Sequence, residues 1–295
     1  MEEEILRKAE VLVEARPYIQ RYQGSYFVVK LGGSIFRLPE ARNSILSDIA
    51  FLHLVGIRCL VITGGGPFIT EELQKSGWKP SFVDGLRVTD EKTLQVVRKV
   101  LGQVRDELCW YLRDKLLVPA AAIEPEERLL IARKIHYQKG AEVIDLGFVG
   151  QMEKVEANTL KVKAATSVVV LAPLAYGQDG ALYNINGDSV AAAVAESLEA
   201  EKLVFLTNVL GVMRNPENPE TLISILTVKQ AETLIQQEVI SGGMVPKVKA
   251  AVSSIRRGVK KVHIINGSLP HSLLLEIFTD QGVGTEIISD NGGNP

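Results

Sequence analysis

The sequence predicts an α/β protein with a mainly parallel central sheet covered by helices on both faces. Three observations carry this prediction: the chain has 295 residues, short apolar runs end in glycine or another turn residue, and helical stretches alternate with these runs. Continuous runs of Val, Ile and Leu are typical of strands buried on both faces. Alternation of strand and helix favours βαβ units with right-handed crossovers.

Five apolar runs are predicted to form the core strands. They are YFVVKLGG (26–33), CLVITGGGP (59–67), SVVVLAP (167–173), KLVFLTN (202–208) and KVHIING (261–267). The predicted helices between and beside them are 41–56, 67–77, 90–116, 188–200 and 246–258. Residues 129–156 differ, because short alternating segments there indicate a hairpin region, which we interpret as a lid beside the site.

The N-terminal segment has the pattern of an amphipathic helix. Ile5, Ala9, Leu12 and Val13 follow a spacing of three or four residues, which places them on one helical face. Because proline disfavours helical geometry in the residue before it, we expect this helix to end before Pro17. Its apolar face needs a surface to dock against.

Composition excludes several classes of function. A hydrophobic share of 46%, a charged share of 23% and a formal charge of -2 describe an ordinary globular protein without the basic excess of a nucleic-acid binder. Cys59 and Cys109 lack the spacing of a metal site or a disulfide framework, so we expect them in the core. The acidic N-terminus and the lack of a membrane-length apolar run predict a cytoplasmic protein without a membrane partner.

Two glycine turns are candidates for binding phosphate. KLGG (30–33) ends the first predicted strand with Lys30 beside it, and GGGP (64–67) ends the second and leads into a helix. Backbone amides in such turns can face an anion because no Cβ stands in the way. Neither turn fits the P-loop or the dinucleotide-binding pattern, and each alone is equally compatible with a simple turn after a strand. Together they suggest two loops that flank one anion.

A polar segment before the fourth predicted helix is a third candidate. In YNINGD (183–188), Asp188 is placed to cap the helix, which alone would explain it. Asn184 and Asn186 alternate, so their amides are expected to share a face that suits ligand contacts.

Two basic residues complete the set. Lys247 lies on the first turn of a predicted helix after SGG (241–243), where a lysine opposes the helix dipole, so an anion nearby explains it better than surface solvation. Arg87, in the predicted loop DGLRVT (84–89), has the fork geometry that pairs with a substrate carboxylate, although a lone arginine is more often a surface residue. Lysines and glycine turns around one point are what phosphoryl transfer requires.

Eight segments from Tyr26 onward resemble, in order, those of the acetylglutamate kinases in the amino acid kinase family. They are KLGG, TGGGP, FVDGLRVT, DLGFVGQ, YNINGDSVA, LTNVLGV, ISGGMVPKV and VHIINGSLPHSLLLEIFTDQGVGTEI. The resemblance implies a three-layer αβα sandwich with an N-terminal oligomerisation helix (1–22), a lobe for the acyl-amino-acid substrate (23–190) and a lobe for ATP (191–295). It implies ATP-dependent phosphorylation of the side-chain carboxylate of N-acetyl-L-glutamate in arginine biosynthesis.

The resemblance also assigns roles to residues. Catalysis falls to Lys30, Lys247 and Asp188, of which the lysines stabilise the transferring phosphoryl group and the aspartate holds them. The substrate-binding residues are Gly65, Gly66, Arg87 and Asn184. The nucleotide-binding residues are Gly32, Gly33, Leu206, Thr207, Asn208, Gly211 and Ser241. Mg²⁺ is expected to bind through the ATP phosphates, without a metal site made by the protein itself.

A regulatory site follows from the same resemblance. The helical leader is similar to that of hexameric, arginine-inhibited members, in which the helices pair subunits. The residues at the arginine-binding positions are Tyr18, Lys202, His263, Glu276 and Gly282. Without the resemblance, His263 would be interpreted as an ordinary core or surface histidine and Glu276 as a solvated helix residue.

The sequence departs from the family pattern mainly around the substrate. HGGGPQIN is replaced by TGGGPFIT (63–70), a glycine-rich segment by VPAAAIEPEERL (118–129), VNK by Val104-Arg105-Asp106, and LTDV by Leu206-Thr207-Asn208-Val209. These changes leave two alternatives: a kinase for a related acylated amino acid, or a weakly active or silent paralogue that binds arginine and regulates an active kinase. A dinucleotide-dependent oxidoreductase is disfavoured because no G-x-G-x-x-G follows a strand.

Overall fold

The fold is described from a computed structural model in which residues 2–139, 142–279 and 282–291 are placed. The helices in these ranges are α1 (Glu2–Tyr22), α2 (Pro39–Leu54), α3 (Gly66–Lys75), α4 (Glu91–Trp110), α5 (Ala157–Ala164), α6 (Gly187–Leu198), α7 (Val228–Gln236), α8 (Met244–Arg256) and α9 (Ser272–Phe278). None of the helices in the described ranges is both long and apolar enough to cross a bilayer.

The strands of the described chain form one large sheet and three smaller units. They are β1 (Tyr26–Leu31), β2 (Arg58–Ile62), β3 (Phe82–Val83), β4 (Leu86–Arg87), β5 (Ala120–Ile123), β6 (Leu130–Lys134), β7 (Tyr137–Lys139), β8 (Glu142–Ile144), β9 (Val149–Val155), β10 (Val168–Leu171), β11 (Leu174–Gly177), β12 (Leu182–Ile185), β13 (Lys202–Thr207), β14 (Ile225–Thr227), β15 (Lys261–Asn266) and β16 (Thr285–Ile288). All five predicted core strands are present.

The large sheet has eight strands in the order β14-β16-β15-β13-β1-β2-β10-β5. Every neighbouring pair is parallel except β15 and β16, which are antiparallel. β1, from the predicted substrate lobe, pairs residue by residue with β13, from the predicted ATP lobe. The predicted mainly parallel sheet is confirmed, and it contains strands from both predicted lobes.

Both faces of this sheet are buried, as its continuous apolar strands require. In β1, Phe27 and Val29 belong to the apolar cluster that includes Ile49 of α2, whereas Val28 belongs to the cluster that includes Val194 of α6. Since alternate residues of a strand point to opposite faces, the helices of the two clusters cover opposite sides of the sheet. The three-layer arrangement is therefore confirmed.

The predicted hairpin region is also confirmed, while its role as a lid stays a prediction. β6 pairs with β9 and β7 pairs with β8, both antiparallel. With β11 and β12, the strands β6 and β9 close into a small four-stranded unit. The β7–β8 hairpin extends from this unit, next to the two-stranded β3–β4 hairpin.

The expected end of the first helix before Pro17 is wrong, because α1 continues to Tyr22. Proline in a helix removes one backbone donor, so other contacts must hold the last turn. Tyr18 packs edge-on against Phe278 at 6.2 Å between ring centroids, and Tyr22 packs against Phe27 at 5.3 Å. These contacts with the core keep the chain helical past the proline.

Only part of the predicted apolar face of α1 can be described. The side chains of Ile5, Ala9 and Leu12 lie outside the described residues. Val13 is 68% exposed in the single chain. At Val13, the face that was expected to dock is therefore open to solvent in the single chain.

Both cysteines lie in the core, as predicted. Cys59 and Cys109 are fully buried members of the cluster beneath α2. Burial raises the pKa of Cys59 to about 12 and that of Cys109 to about 11, because the thiolate is poorly solvated there. Both side chains act as small hydrophobic residues.

Candidate active site

The two glycine turns pack against each other at the carboxyl end of the large sheet. A Cβ on Gly33 would lie 2.8 Å from Pro67 Cδ, and one on Gly64 would lie 2.7 Å from the Leu31 carbonyl oxygen. Only glycine fits such close backbone contact. Because α3 begins at Gly66, the unpaired amides of its first turn lie beside this contact and form a surface that suits a phosphate.

Lys30, Asp188 and Lys247 form one ion-paired cluster at the same edge of the sheet. Lys30 Nζ lies 2.8 Å from Asp188 Oδ1, and Lys247 Nζ lies 2.5 Å from Oδ2. Burial disfavours the carboxylate, but the two ammonium groups outweigh it and hold the pKa of Asp188 below its usual range. Burial and the nearby Lys30 lower the pKa of Lys247. The aspartate thus holds two like charges together in a partly desolvated place.

The fold explains why these three side chains meet. Lys30 follows Val28 by two residues on β1 and so faces the side that α6 covers. Asp188 stands in the first turn of α6, and Lys247 stands in the first turn of α8, which packs beside α6. Residues separated by as many as 217 positions are therefore brought to one point by the sheet and two helix starts.

Capping does not explain Asp188, because Asn186 is the N-cap of α6. The Asn186 side-chain oxygen accepts hydrogen bonds from the backbone amides of Asp188 at 2.9 Å and Ser189 at 3.1 Å. The carboxylate of Asp188 is consequently left for the two lysines. Asn184 donates from Nδ2 to Thr89 Oγ1 at 3.2 Å, and both asparagines line the cleft described below.

Arg87 lies on a strand and not in a loop, which corrects the sequence-based expectation. β3 and β4 are joined by the two-residue turn Asp84-Gly85, in which both residues have positive φ (45° and 83°). Asp-Gly is a preferred sequence for the type I′ turn of a two-residue hairpin, so the signal was present in the sequence.

The Arg87 guanidinium is fixed through Nη2, whereas Nη1 makes no hydrogen bond with the described residues. Nη2 donates to the Gly66 carbonyl at 3.0 Å and to Thr70 Oγ1 at 2.9 Å, and the group stacks 4.6 Å from the Phe82 ring centroid. Nη1 is buried and has no partner among the described residues. Burial lowers the pKa of Arg87, which remains a cation at neutral pH. The free edge of this group is suited to a carboxylate.

These groups surround a cleft of about 370 Å³. Its polar lining includes Lys30, Arg87, Asn184, Asn186, Lys247 and the glycine turns. A second cavity of about 420 Å³ is more apolar and is lined by residues such as Val209, Val212 and Met244. Thr207, Asn208 and Lys247 line both cavities. Lys247 therefore marks the junction between a polar and an apolar chamber.

The predicted nucleotide residues divide between the two chambers. Gly32, Gly33, Leu206, Thr207 and Asn208 line the polar cleft, and Thr207, Asn208, Gly211 and Ser241 line the apolar cavity. The predicted substrate residues Gly65, Gly66, Arg87 and Asn184 all line the polar cleft. Within the described ranges, no cluster of three or more His, Cys, Asp or Glu side chains is arranged to bind a metal.

Most departures from the family pattern lie away from the cleft. Phe68 packs edge-on against Phe36 at 6.4 Å between centroids, and Thr63 is fully buried. Arg105 forms a two-pronged ion pair with Glu124, from the unusual segment 118–129, and donates to the Ile123 carbonyl at 3.0 Å. Two departures thus compensate each other in the scaffold. Asn208, by contrast, lines both chambers.

The predicted arginine-binding residues form a second buried cluster behind β13 and β15. Lys202 Nζ lies 2.9 Å from His263 Nε2, and His263 Nδ1 lies 2.7 Å from Glu276 Oε1. A Cβ on Gly282 would lie 2.9 Å from Glu276 Oε2. Burial lowers the pKa of Lys202 to about 8. Four of the five predicted residues are therefore in contact or nearly so, and Tyr18 stands on the neighbouring helix α1 against Phe278.

Sequence reasoning missed Thr70 and Phe82, which hold Arg87. Thr70 ends the segment TGGGPFIT, which departs from the family pattern, and its hydroxyl accepts a hydrogen bond from the guanidinium. Phe82 precedes the Asp-Gly turn by two residues, so the hairpin signal would have placed it opposite Arg87.

This fold and site define a class of phosphotransferase. Residues 25–266 match the amino acid kinase family, and the chain belongs to that family. Within it, the sequence is 41% identical to the acetylglutamate kinase of Methanocaldococcus jannaschii over 97% of this chain and 98% of that protein. It is also 41% identical to the acetylglutamate kinase of Moorella thermoacetica, over 96% and 98% of the two chains.

Solved structures share the fold. N-acetylglutamate synthase from Neisseria gonorrhoeae, complexed with coenzyme A and N-acetyl-glutamate, superimposes with a TM-score of 0.85 at 31% identity, over 96% of this chain but 63% of the synthase. The same synthase with coenzyme A and L-arginine gives 0.83 at 29% identity, over 96% and 65%. Carbamate kinase from Giardia lamblia bound to AMP-PNP gives 0.61 at 17% identity, over 90% and 99%, a likeness of fold alone.

Proposed function

We propose that this chain transfers the γ-phosphoryl group of ATP to the side-chain carboxylate of N-acetyl-L-glutamate, giving N-acetylglutamyl phosphate for arginine biosynthesis. The observation that carries the proposal is the Lys30–Asp188–Lys247 cluster, which stands where the polar cleft meets the apolar cavity. Acetylglutamate kinases at about 40% identity over nearly the whole chain support the choice of acceptor.

The two chambers suit the two substrates. The polar cleft offers Arg87 and Asn184 to the carboxylates of an acylated amino acid, and its glycine amides to the phosphoryl group. The apolar cavity, with Val209, Val212 and Met244, suits an adenine ring. Lys247 at the junction is then placed beside the γ-phosphate.

The reaction joins an acceptor oxygen to phosphorus. A side-chain carboxylate oxygen of the substrate attacks the γ-phosphorus while the bond to the bridging β,γ-oxygen breaks, and ADP leaves with the electron pair. No general base is needed, because the carboxylate is already ionised at neutral pH. The chain has to hold both oxygens in line and stabilise the negative charge between them.

Each charged group has a distinct part in that task. Lys30 and Lys247 stabilise charge that spreads over the phosphoryl oxygens and the leaving group, and the amides of Gly65 and Gly66 face the same oxygens. Asp188 keeps the two ammonium groups side by side. Since both of its oxygens are paired with lysines, Mg²⁺ fits here only through ATP phosphates, where it would neutralise charge between them.

An ADP-release assay on the purified protein tests the proposal. N-acetyl-L-glutamate should give the highest kcat/KM in a panel that also contains N-acetyl-L-aminoadipate, N-succinyl-L-glutamate and L-aspartate. A higher value for another acylated amino acid would move the proposal to the related kinase. Absence of turnover with every acceptor would overturn it, and calorimetry showing arginine binding without ATP binding would then favour the silent regulator.

A second proposal concerns regulation. We infer that arginine binds at the cluster of Lys202, His263 and Glu276 and inhibits a cytoplasmic hexamer held together by α1. The buried Glu276 carboxylate suits the cationic end of arginine, and the complex of the Neisseria synthase with L-arginine supports the choice of ligand. Coupling between the sites requires two conformations with different affinities for arginine.

Deletion of residues 1–22 tests this second proposal. The truncated protein should keep its kinase activity, need more arginine for half-inhibition and lose the sigmoidal response. Identical inhibition curves for the full-length and truncated proteins would show that the leader has no regulatory part. Light scattering should give a hexamer for the full-length chain, and a monodisperse dimer would contradict the assembly.

A further inference from the structure

Two hairpins from different parts of the chain meet beside the polar cleft. The Tyr137 hydroxyl on β7 donates a hydrogen bond to the Asp84 carboxylate in the turn between β3 and β4. Residues 137 and 84 are 53 positions apart, and both are on the surface of the protein. The hydrogen bond to Asp84 raises the pKa of Tyr137, because it favours the protonated phenol.

The β3–β4 hairpin needs support from outside. Each of its strands has only two residues, and isolated two-stranded hairpins are marginal in water. Its base is fixed by the segment around Thr89, whose amide donates to the Leu146 carbonyl at 2.9 Å and whose carbonyl accepts from the Phe148 amide at 2.6 Å. The contact between Asp84 and Tyr137 fixes its other end.

This hairpin carries the groups that face the acceptor. Phe82 and Arg87 are directly opposite each other on β3 and β4, and both line the cleft together with Gly85 and Leu86. The buried Nη1 of Arg87 has no hydrogen-bond partner within the described part of the chain. Displacement of the turn would therefore move the stacked pair of Phe82 and Arg87 relative to the glycine amides.

We propose that Tyr137 is a positioning residue for the acyl-amino-acid substrate: its hydrogen bond to Asp84 holds the β3–β4 hairpin so that Arg87 faces the cleft. The kinetic part of this inference rests on the proposed kinase activity. Tyr137 does not itself touch the reacting groups. It acts through the hairpin, so its loss weakens binding of the acceptor equally in the ground state and the transition state.

Tyr137→Phe removes the hydroxyl and keeps the ring, so it is the decisive variant. KM for the acylated amino acid should rise about fivefold, as expected for loss of one hydrogen bond to a charged group at the surface, while kcat and KM for ATP stay unchanged. Asp84→Asn keeps an acceptor and a residue that tolerates positive φ but removes the charge, so its KM should rise less than that of Tyr137→Phe. Tyr176→Phe is the matched control, because its hydroxyl donates to Glu126 at 3.2 Å on the surface.

Amide hydrogen exchange gives a second readout that needs no substrate. Residues 82–88 should exchange faster in Tyr137→Phe than in the wild type, and at the wild-type rate in Tyr176→Phe. Wild-type exchange in Tyr137→Phe would overturn the inference, whether or not the wild type is an active kinase. In an active enzyme, faster exchange in Tyr137→Phe with an unchanged KM for the acylated amino acid would also overturn the inference. A fall in kcat as large as the rise in KM would overturn it too. Absence of wild-type turnover would overturn the proposed activity, with the exchange experiment still deciding the contact.

Discussion

Replacement of Asp188 by asparagine is the sharpest test of how the site is held. The substitution keeps the size of the side chain and removes the charge between Lys30 and Lys247. At separations of 2.8 and 2.5 Å, the two ion pairs have Coulomb energies of about 6 and about 7 kcal/mol at an effective dielectric constant of about 20. Desolvation of the three groups offsets most of this energy, and loss of one partner from a buried pair costs about 3–5 kcal/mol.

The lower end of this range applies, because the lysine side chains are 12% and 20% exposed at the cleft. A loss of about 3 kcal/mol corresponds to a fall in Tm of roughly 6 °C for a chain of this size. The kcat value should fall at least about 100-fold, since the two ammonium groups repel each other and leave their aligned positions. Differential scanning fluorimetry and the ADP-release assay measure the two effects, with Asp114→Asn as a surface control.

The stabilising contribution of Asp188 should depend on pH. The folded-state pKa of Asp188 is depressed, so its stabilising contribution is present above the unfolded value of about 4 and is lost as the pH falls through the folded value. The difference in Tm between wild type and Asp188→Asn should therefore shrink from pH 7 to pH 3. Removal of the Asp188 charge lowers the pKa of Lys247 further. As the pH is raised, the variant should therefore lose activity at a lower pH than the wild type does. Wild-type Tm and kcat in Asp188→Asn would refute this reasoning.

Five further substitutions test separate parts of the site. Lys30→Ala and Lys247→Ala should each lower kcat by about 10²–10³ with less than about a threefold change in KM for ATP, measured at steady state; an unchanged kcat would remove the lysine concerned from the mechanism. Arg87→Lys should raise KM for the acylated amino acid by about tenfold, because lysine lacks the planar fork; equal KM values would exclude a carboxylate contact. Arg105→Ala should lower the free energy of unfolding by about 1–3 kcal/mol in urea with both KM values unchanged, and a changed KM would place it in the site. Gly64→Ala should lower Tm and kcat together, whereas a wild-type Tm would show that the turn has room for a methyl group.

The parallel sheet could be predicted because its strands are apolar on both faces. A run such as YFVVKLGG lacks the alternation of apolar and polar residues that is typical of a strand with one exposed face. In the structure, residues 27–29 and 31 are completely buried. The flanking strands could not be predicted in the same way. β5 consists of one isoleucine and three alanines, and alanine has a helical preference, so the pairing with β10 makes this segment a strand.

Contacts across long stretches of sequence account for the other differences. Nothing local indicates that α1 continues past Pro17, because Phe278, which holds Tyr18, is 260 positions away. Similarly, Arg105 and Glu124 lie in two segments that each depart from the family pattern, but together they form an ion pair. Neither segment alone reveals this pairing. The lysines and glycine turns were predictable because each lies at the carboxyl end of a buried strand or at the start of a helix, and these positions meet at the carboxyl edge of the sheet.

The parallel pairing of β1 with β13 limits how the two substrates can be brought together. Five residue pairs join β1, which carries Lys30, to β13, which ends at Thr207 beside the apolar cavity. Rotation about a hinge between the lobes would have to break the hydrogen bonds between β1 and β13. The ATP side and the acceptor side can therefore approach each other only through a change in sheet twist and movement of the loops at the carboxyl edge of the sheet. The predicted boundary between residues 190 and 191 also falls inside α6, so each predicted lobe supplies part of one helix, as well as strands, that the other requires.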